Sequence, residues 1–310
     1  MKNLNVIFMG TPEFSVGILK ALIANCNVLA VVSQPDKKIG RKQILTPTPV
    51  KVIAEENKIK VFQPVNIKEE YHDILELNPD IIITCAYGQI VPKEVLDYPS
   101  LGCINVHASL LPKLRGGAPI HKSIIEGHKE TGITIMYMDV AMDSGDIISK
   151  QKTKILDNDN LETLSNRLSN IGKKLLIETL PLIIDGTNER IKQNDAEVTY
   201  AYNIKREEEK IDFNKTSREI FNQIRGLSPN PGAFMTIEGK QIKVYSSRIS
   251  DDKNNETSTV TKFYEDGIGI STSDGTIVIT SLQMPGKKRI SAKEYLNGAK
   301  EEDWIGKIVE

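Results

Sequence analysis

Val6-Ile7-Phe8-Met9-Gly10-Thr11-Pro12-Glu13 decides the fold. A short apolar run breaks into a Gly-Thr-Pro turn, and a helix pattern follows through Leu19, Leu22 and Ile23. The same texture recurs downstream. Residues 28–32, 81–83, 103–106 and 134–138 read as further strands, with helical stretches between them. Continuous β-branched runs alternating with helices predict an α/β architecture whose mostly parallel sheet is buried on both faces. Residues 160–184 predict one long helix, with Leu161, Leu164, Leu168, Ile171, Leu175 and Ile183 on one side.

The turn at 10–17 stands where a dinucleotide-binding fold keeps its phosphate loop. It lacks the Gly-x-Gly-x-x-Gly spacing, and Glu13 places a carboxylate where a phosphate would bind. Nicotinamide chemistry is therefore disfavoured. At 310 residues the chain is long enough for two cores. The formal net charge is −1, so a nucleic-acid partner must be held by local basic patches. The three cysteines, Cys26, Cys85 and Cys103, are widely spaced, which fits reduced thiols and neither a zinc site nor a disulfide framework. No apolar run spans a bilayer and no targeting segment is evident, so a cytoplasmic protein is expected.

The texture changes after residue 185. Residues 185–209 are polar and weakly periodic, as in a surface linker. Beyond a helix at 217–225, short strands at 233–237, 241–246, 267–271 and 276–282 alternate with Glu238-Gly239 and Asp274-Gly275 turns. This spacing predicts a small antiparallel barrel. The resulting division is 1–188, a linker at 189–206, and 207–310.

Two polar clusters carry the chemistry. Asn105-Val106-His107-Ala108-Ser109-Leu110-Leu111-Pro112 starts as a strand and breaks into a Pro/Gly loop. It places an amide and an imidazole on alternate residues, hence on one face, at a strand end. Asp139, Asp143, Gly145 and Asp146 follow in a second loop. An Asn, a His and an Asp that converge can stabilise an oxyanion and move a proton. His72, His121 and His128 read as ordinary helix-surface or helix-end residues. The carboxylates lack the spacing of a known metal loop, so no metal is expected. Lys37, Lys38, Arg41 and Lys42 form a basic stretch broken by Pro and Gly, and Lys287, Lys288 and Arg289 form a second. Two such points on separate domains suit an RNA backbone.

The residues at this point match a family pattern. The chain resembles the methionyl-tRNA formyltransferases over nearly its whole length. The matching stretches include Phe8–Phe14, Ser33-Gln34-Pro35-Asp36, Pro47–Lys51, Val61–Pro64, Ala86–Pro92, Asn105–Ile120, Thr131–Asp146, Ile211-Asp212-Phe213 and Ile224–Ala233. Asn-x-His-x-Ser-Leu-Leu-Pro and Asp-x-Gly-Asp belong to folate-dependent formyltransferases as a class, whereas the later stretches and the basic loop narrow it to the tRNA enzymes. The resemblance implies a Rossmann-like formyltransferase domain with a C-terminal OB-like barrel. It implies formyl transfer from 10-formyltetrahydrofolate to the α-amino group of methionyl initiator tRNA; a monomer is expected. By that resemblance Asn105, His107 and Asp143 form the catalytic trio. Ser109, Leu110, Leu111 and Pro112 match the folate-binding segment, and Tyr87, Gln89, Ile90 and Val91 match one wall of its pocket. The 34–45 loop matches the element that enters the acceptor stem. Ala141 departs from the Gly usual in the Asp-rich motif, and Asn203 from a common Lys. The competing readings are a sugar-nucleotide formyltransferase, a formyl-folate hydrolase and an RNA-binding protein with a silent enzyme domain.

Overall fold

The computed structural model describes residues 1–40, 42–254 and 256–310. The chain packs as two units. The first comprises Met1–Pro119, Thr131–Thr153 and Ser165–Tyr202, and the second Ile120–Glu130, Lys154–Leu164 and Asn203–Glu310. Packing therefore does not follow a single cut in the chain. Residues 189–202, expected as linker, belong to the first unit, and two earlier segments belong to the second.

The first unit opens with β1 (Asn5–Gly10), α1 (Glu13–Asn25), β2 (Asn27–Val32), β3 (Lys37–Ile39), β4 (Ile44–Thr46) and α2 (Pro49–Glu56). It continues with β5 (Lys60–Phe62), α3 (His72–Leu75), β6 (Ile81–Cys85), α4 (Lys93–Leu96) and β7 (Cys103–His107). After α5 (Pro119–Ile125), which belongs almost wholly to the second unit, come β8 (Glu130–Tyr137), β9 (Ile147–Lys154) and the long α6 (Leu161–Ile184). One seven-stranded sheet has the order β5-β2-β1-β6-β7-β8-β9. Strands β5, β2, β1, β6 and β7 pair in parallel, and β8 runs antiparallel to β7. The mostly parallel sheet agrees with the sequence expectation. The basic stretch, broken by Pro and Gly in the sequence, contains the short β3–β4 hairpin. Both hairpin strands are almost wholly exposed, so no burial pattern marks them in the sequence.

The strand order reverses between β1 and β6, which opens a crevice beyond the carboxyl ends of the strands. Those ends deliver the Thr11 turn, the 86–88 loop and His107 to one edge. Thr11 Oγ1 donates to the Tyr87 carbonyl at 2.8 Å and Ser15 Oγ to that of Cys85 at 2.6 Å, so this edge is tied together locally. Leu168, Leu176 and Leu180 form a buried i, i+4 stripe on α6. Gly172 interrupts it, and a Cβ there would lie 3.2 Å from Val106 Cγ1, so α6 lies close against β7. Val106 faces the helix; Asn105 and His107 face the other way.

The second unit contains α7 (Ser217–Leu227), β10 (Ala233–Ile237), β11 (Lys240–Ser250), β12 (Val260–Tyr264), β13 (Gly267–Ser271), β14 (Thr276–Gln283), β15 (Ile290–Ser291) and α8 (Ala292–Leu296). Thr216 and Glu219 form a reciprocal capping box that starts α7. The strands form an antiparallel sheet ordered β10-β11-β14-β13-β12, with β15 added to β14. Residues 306–310 join its two outer strands. Gly306 N donates to Val260 O at 2.9 Å and Val309 N to Ser258 O at 2.8 Å, while Glu310 and Thr236 exchange backbone bonds at 2.6 and 2.8 Å. The sheet thus curls around a core that includes Phe213, Ile224, Met235, Ile268 and Trp304. This accords with the small OB-like barrel expected.

Candidate active site

Asn105 and His107 come from the end of β7, and Asp143 from the loop between β8 and β9. Thr84 on β6 is the direct register partner of Asn105. Its hydroxyl donates to Asn105 Oδ1 at 2.9 Å, which leaves the amide nitrogen facing Asp143 Oδ1 at 3.3 Å. The opposite amide orientation would set oxygen against carboxylate, so both neighbours select the same one.

His107 is 5 % exposed. Its Nε2 lies 3.0 Å from the Leu114 carbonyl, an acceptor only, so that nitrogen carries a hydrogen. Its Nδ1 lies 3.6 Å from Asp143 Oδ1, too far for a formed hydrogen bond. Asp143 Oδ2 accepts the Gly116 N–H at 2.8 Å. Asp143 has φ +51°, a conformation that L-residues rarely adopt, and Gly145 beside it is packed against backbone. The three side chains anticipated from the sequence therefore converge, held by short bonds on their outer sides. The contacts among them are long, as is common in ligand-free sites whose catalytic bonds tighten on substrate.

The segment Ser109–Pro112 forms the adjoining loop. Thr134 Oγ1 donates to the Ser109 carbonyl at 2.7 Å and accepts the Leu111 N–H at 3.2 Å. Ser109 Oγ donates to the Lys113 carbonyl at 2.6 Å. Ser109 and Leu111 are thus buried, while Leu110 and Pro112 keep accessible surface. On the other wall Gln89 bonds Ile67 N at 2.9 Å and Pro64 O at 3.0 Å, Val91 is buried and Ile90 is 69 % exposed. The Tyr87 ring lies in the core with a hydroxyl that has no hydrogen-bond partner among the described residues. Burial, helped by the charge of Glu70, pushes that phenol above its usual range. The Tyr87, Val91, Ser109 and Leu111 side chains are therefore packed within the loops that carry them. Burial also pushes the nearby Cys85 thiol up to about 12, so it carries no nucleophilic thiolate at neutral pH.

Lys37, Lys38 and Lys42 are exposed on the hairpin, and Arg41 lies outside the described residues. Lys51 is not available: its ammonium pairs with Asp36 at 2.7 Å and with Gln63 at 2.9 Å. In the second unit Lys287, Lys288 and Arg289 are exposed. Lys240, Lys287 and Lys288 rim an open concavity of about 700 Å³ with Met284, Ile290 and Tyr295 among its lining residues. Arg225, in the stretch that narrowed the resemblance to tRNA enzymes, is buried. Its guanidinium donates to the carbonyls of Leu156 at 2.7 Å and Asp159 at 3.1 Å and to Asn222 Oδ1 at 3.0 Å. Its role is to hold 154–164 onto α7. His121 sits largely buried on α5, and burial holds its imidazole below the usual range. Among the described residues no group of three or more His, Cys, Asp or Glu side chains is arranged to hold a metal ion, and no helix is long and apolar enough to cross a membrane.

Sequence reading missed Thr84, Arg115 and Gln193. The first is an isolated Thr in an apolar strand. Arg115 stands beside the glycines of the predicted loop but is 6 % exposed. Gln193 sits in the stretch taken for linker.

Comparison with known proteins places this geometry in a family. The formyl transferase family profile matches residues 2–180, and the formyl transferase C-terminal domain matches 203–300. A methionyl-tRNA formyltransferase of Bacillus thuringiensis subsp. konkukian is 51% identical over 304 residues, covering 96% of this chain and 97% of that protein. One of Bacillus anthracis matches to the same extent. Among solved structures, HypX from Aquifex aeolicus in complex with tetrahydrofolic acid superposes with a TM-score of 0.66 at 15% identity. That match covers 97% of this chain and 49% of HypX, so the chain spans about half the length of that protein. An N-formyltransferase from Helicobacter canadensis, in complex with folinic acid and dTDP-3-aminofucose, superposes with a TM-score of 0.66 at 24% identity, over 92% of this chain and all of that one. These two likenesses show the fold. With the family profiles covering both units and relatives of 51% identity along the whole chain, the protein belongs to the methionyl-tRNA formyltransferase family of formyl transferases.

Proposed function

We propose that the protein transfers the formyl group of 10-formyltetrahydrofolate to the α-amino group of methionyl initiator tRNA, acting as a cytoplasmic monomer in translation initiation. The observation that carries this reading is the convergence of Asn105, His107 and Asp143 at the carboxyl end of β7 in a chain of this family.

The chemistry follows from what each group can do. The neutral amine of the acceptor attacks the formyl carbon. A C–N bond forms and the formyl oxygen becomes an oxyanion. Asn105 has one amide hydrogen directed at Asp143 and a second to offer that oxygen. His107 holds Nε2–H against Leu114, so a proton on Nδ1 makes the ring an imidazolium with Asp143 as its counter-charge. The long Nδ1 contact leaves that proton to be shared with the oxyanion. Asp143, directly or through a water, accepts the proton lost by the attacking amine. Collapse of the intermediate breaks the bond between the formyl carbon and folate N10, which takes the Nδ1 proton of His107, and the proton held by Asp143 then returns His107 to the imidazolium. No covalent enzyme intermediate is required. Leu110, Pro112 and Ile90 present accessible apolar surface to the flat folate. Lys37, Lys38, Arg41 and Lys42, together with Lys287, Lys288 and Arg289, are the proposed phosphate contacts.

The test is transfer of labelled formyl from 10-formyltetrahydrofolate to Met-charged initiator tRNA. Elongator Met-tRNA, an amino-sugar nucleotide and no acceptor serve as controls. Labelling confined to the initiator tRNA is the expected result. Labelling of the sugar nucleotide, or formate release without an acceptor, would overturn the proposal.

A further inference from the structure

The segment 189–202 is stitched to both loops of the candidate site. Ile191 and Ile147 exchange backbone bonds at 2.8 and 2.9 Å, just beyond the Asp143 loop. Thr199 accepts the Leu114 N–H on its hydroxyl and the Arg115 N–H on its carbonyl, both at 2.9 Å. Between these anchors lies Gln193. Its Oε1 accepts from Arg115 Nε at 3.0 Å and from Nη2 at 2.8 Å. Its Nε2 donates to the carbonyls of Asp143 and Gly145, each at 2.8 Å.

The amide orientation is forced. A guanidinium can only donate and a carbonyl can only accept, so Gln193 cannot flip. Its two N–H groups hold the backbone on both sides of Ser144, in a loop whose Asp143 occupies a left-handed conformation. Such a conformation persists only where the surroundings impose it. Gly116 N–H fixes the Asp143 carboxylate, and Gln193 fixes the backbone that carries it.

We propose that Gln193, oriented by buried Arg115, is a positioning residue for formyl transfer: it holds the Asp143 loop so that the carboxylate meets His107 and Asn105. The inference rests on the role given to Asp143 above. A residue in the apparent linker is thereby part of the catalytic architecture, although it touches no reacting atom.

Gln193→Glu separates this role from a merely structural one. Glutamate keeps the Arg115 contact, as an ion pair, but replaces the donor with an oxygen that faces two carbonyls. Gln193→Met keeps the shape and removes both contacts, and serves if the Glu variant does not fold. Steady-state kinetics on the full chain with folate and Met-tRNA, with Tm as a control, give the answer. The expected result for either variant is kcat lower by about 10- to 100-fold with folate KM within about threefold. In an Asp143→Asn background, Gln193→Glu costs less than about threefold more, because its target is already lost. Near-parental kcat in both Gln193 variants, with Asp143→Asn impaired, overturns the positioning role alone. A full further loss on top of Asp143→Asn also overturns it, because Gln193 then acts by another route. Near-parental kcat in Asp143→Asn overturns the Asp143 assignment and the inference with it.

Discussion

Gly145→Ala is the sharpest single perturbation of the candidate site. A Cβ at residue 145 would lie 2.0 Å from the Tyr137 carbonyl oxygen and 2.9 Å from its carbon. Real Cβ atoms essentially never come within 3.0 Å, so something must move by at least 1.0 Å, the difference between 3.0 and 2.0. Tyr137 ends β8 and its N–H is bonded to the Asp146 carbonyl at 2.9 Å, so the strand end and the turn are coupled. The 143–145 loop gives way first, because Tyr137 is paired with Ile104 in the sheet. Displacement of a catalytic group by about 1 Å costs roughly a hundredfold in rate. That is about 2.7 kcal/mol of activation free energy. The assay is kcat for formyl transfer at saturating folate and tRNA, with Tm followed in parallel. We expect kcat to fall about a hundredfold with a stability loss of about 1–3 kcal/mol. A kcat within threefold of the parent, in a folded variant, would refute the claim that this loop sets the carboxylate's place.

Thr84→Val removes the hydroxyl that orients Asn105 while keeping the shape of β6. Expected is a drop in kcat of about tenfold with unchanged Tm; unchanged kcat in presteady-state turnover would show that Asp143 alone orients the amide. Arg225→Ala strips donors from the Leu156 and Asp159 carbonyls and should cost about 2–4 kcal/mol, read as a lower denaturation midpoint of the full chain. If stability held but tRNA affinity fell, Arg225 would be an RNA contact after all. Hydrogen bonds from Lys51, and then from Gln63, hold the Asp36 carboxyl below its usual range. A depressed folded-state value gives stability that is present above the unfolded value and lost as pH falls through the folded one. The Tm advantage of the parent over Lys51→Met should therefore be full at pH 7 and shrink below about pH 4; an advantage independent of pH would rule out the ion pair as its source.

Where burial writes the pattern, the sequence is legible. The runs at Val6–Met9 and Ile81–Ile83 are apolar because both sheet faces are covered, and both are strands of the predicted parallel sheet. Strand β9 escaped notice because it buries only Ile147 and Ile148 and continues into a polar edge. The β3–β4 hairpin buries nothing and left no trace. Asn105 and His107 were legible because they sit two residues apart on one strand. Gln193 was not, because its function depends on residues 50 and 78 positions away that only the fold brings to it. In the loop around Tyr87 the sequence does not reveal which side chains turn inward: Tyr87 and Val91 are buried and Ile90 is exposed.

The closing segment 306–310 has a consequence for how the second unit is made. Thr236 and Glu310 lie 74 positions apart, and every strand of the sheet is synthesised before the segment that bridges its ends. Until then the Thr236 end of β10 and the Val260 end of β12 lack this pairing, and open strand edges invite strand-to-strand association between chains. Nascent or truncated chains lacking 306–310 therefore carry an aggregation hazard that the finished molecule does not. A clip at residue 305 is expected to be felt as lost solubility before it is felt as lost activity.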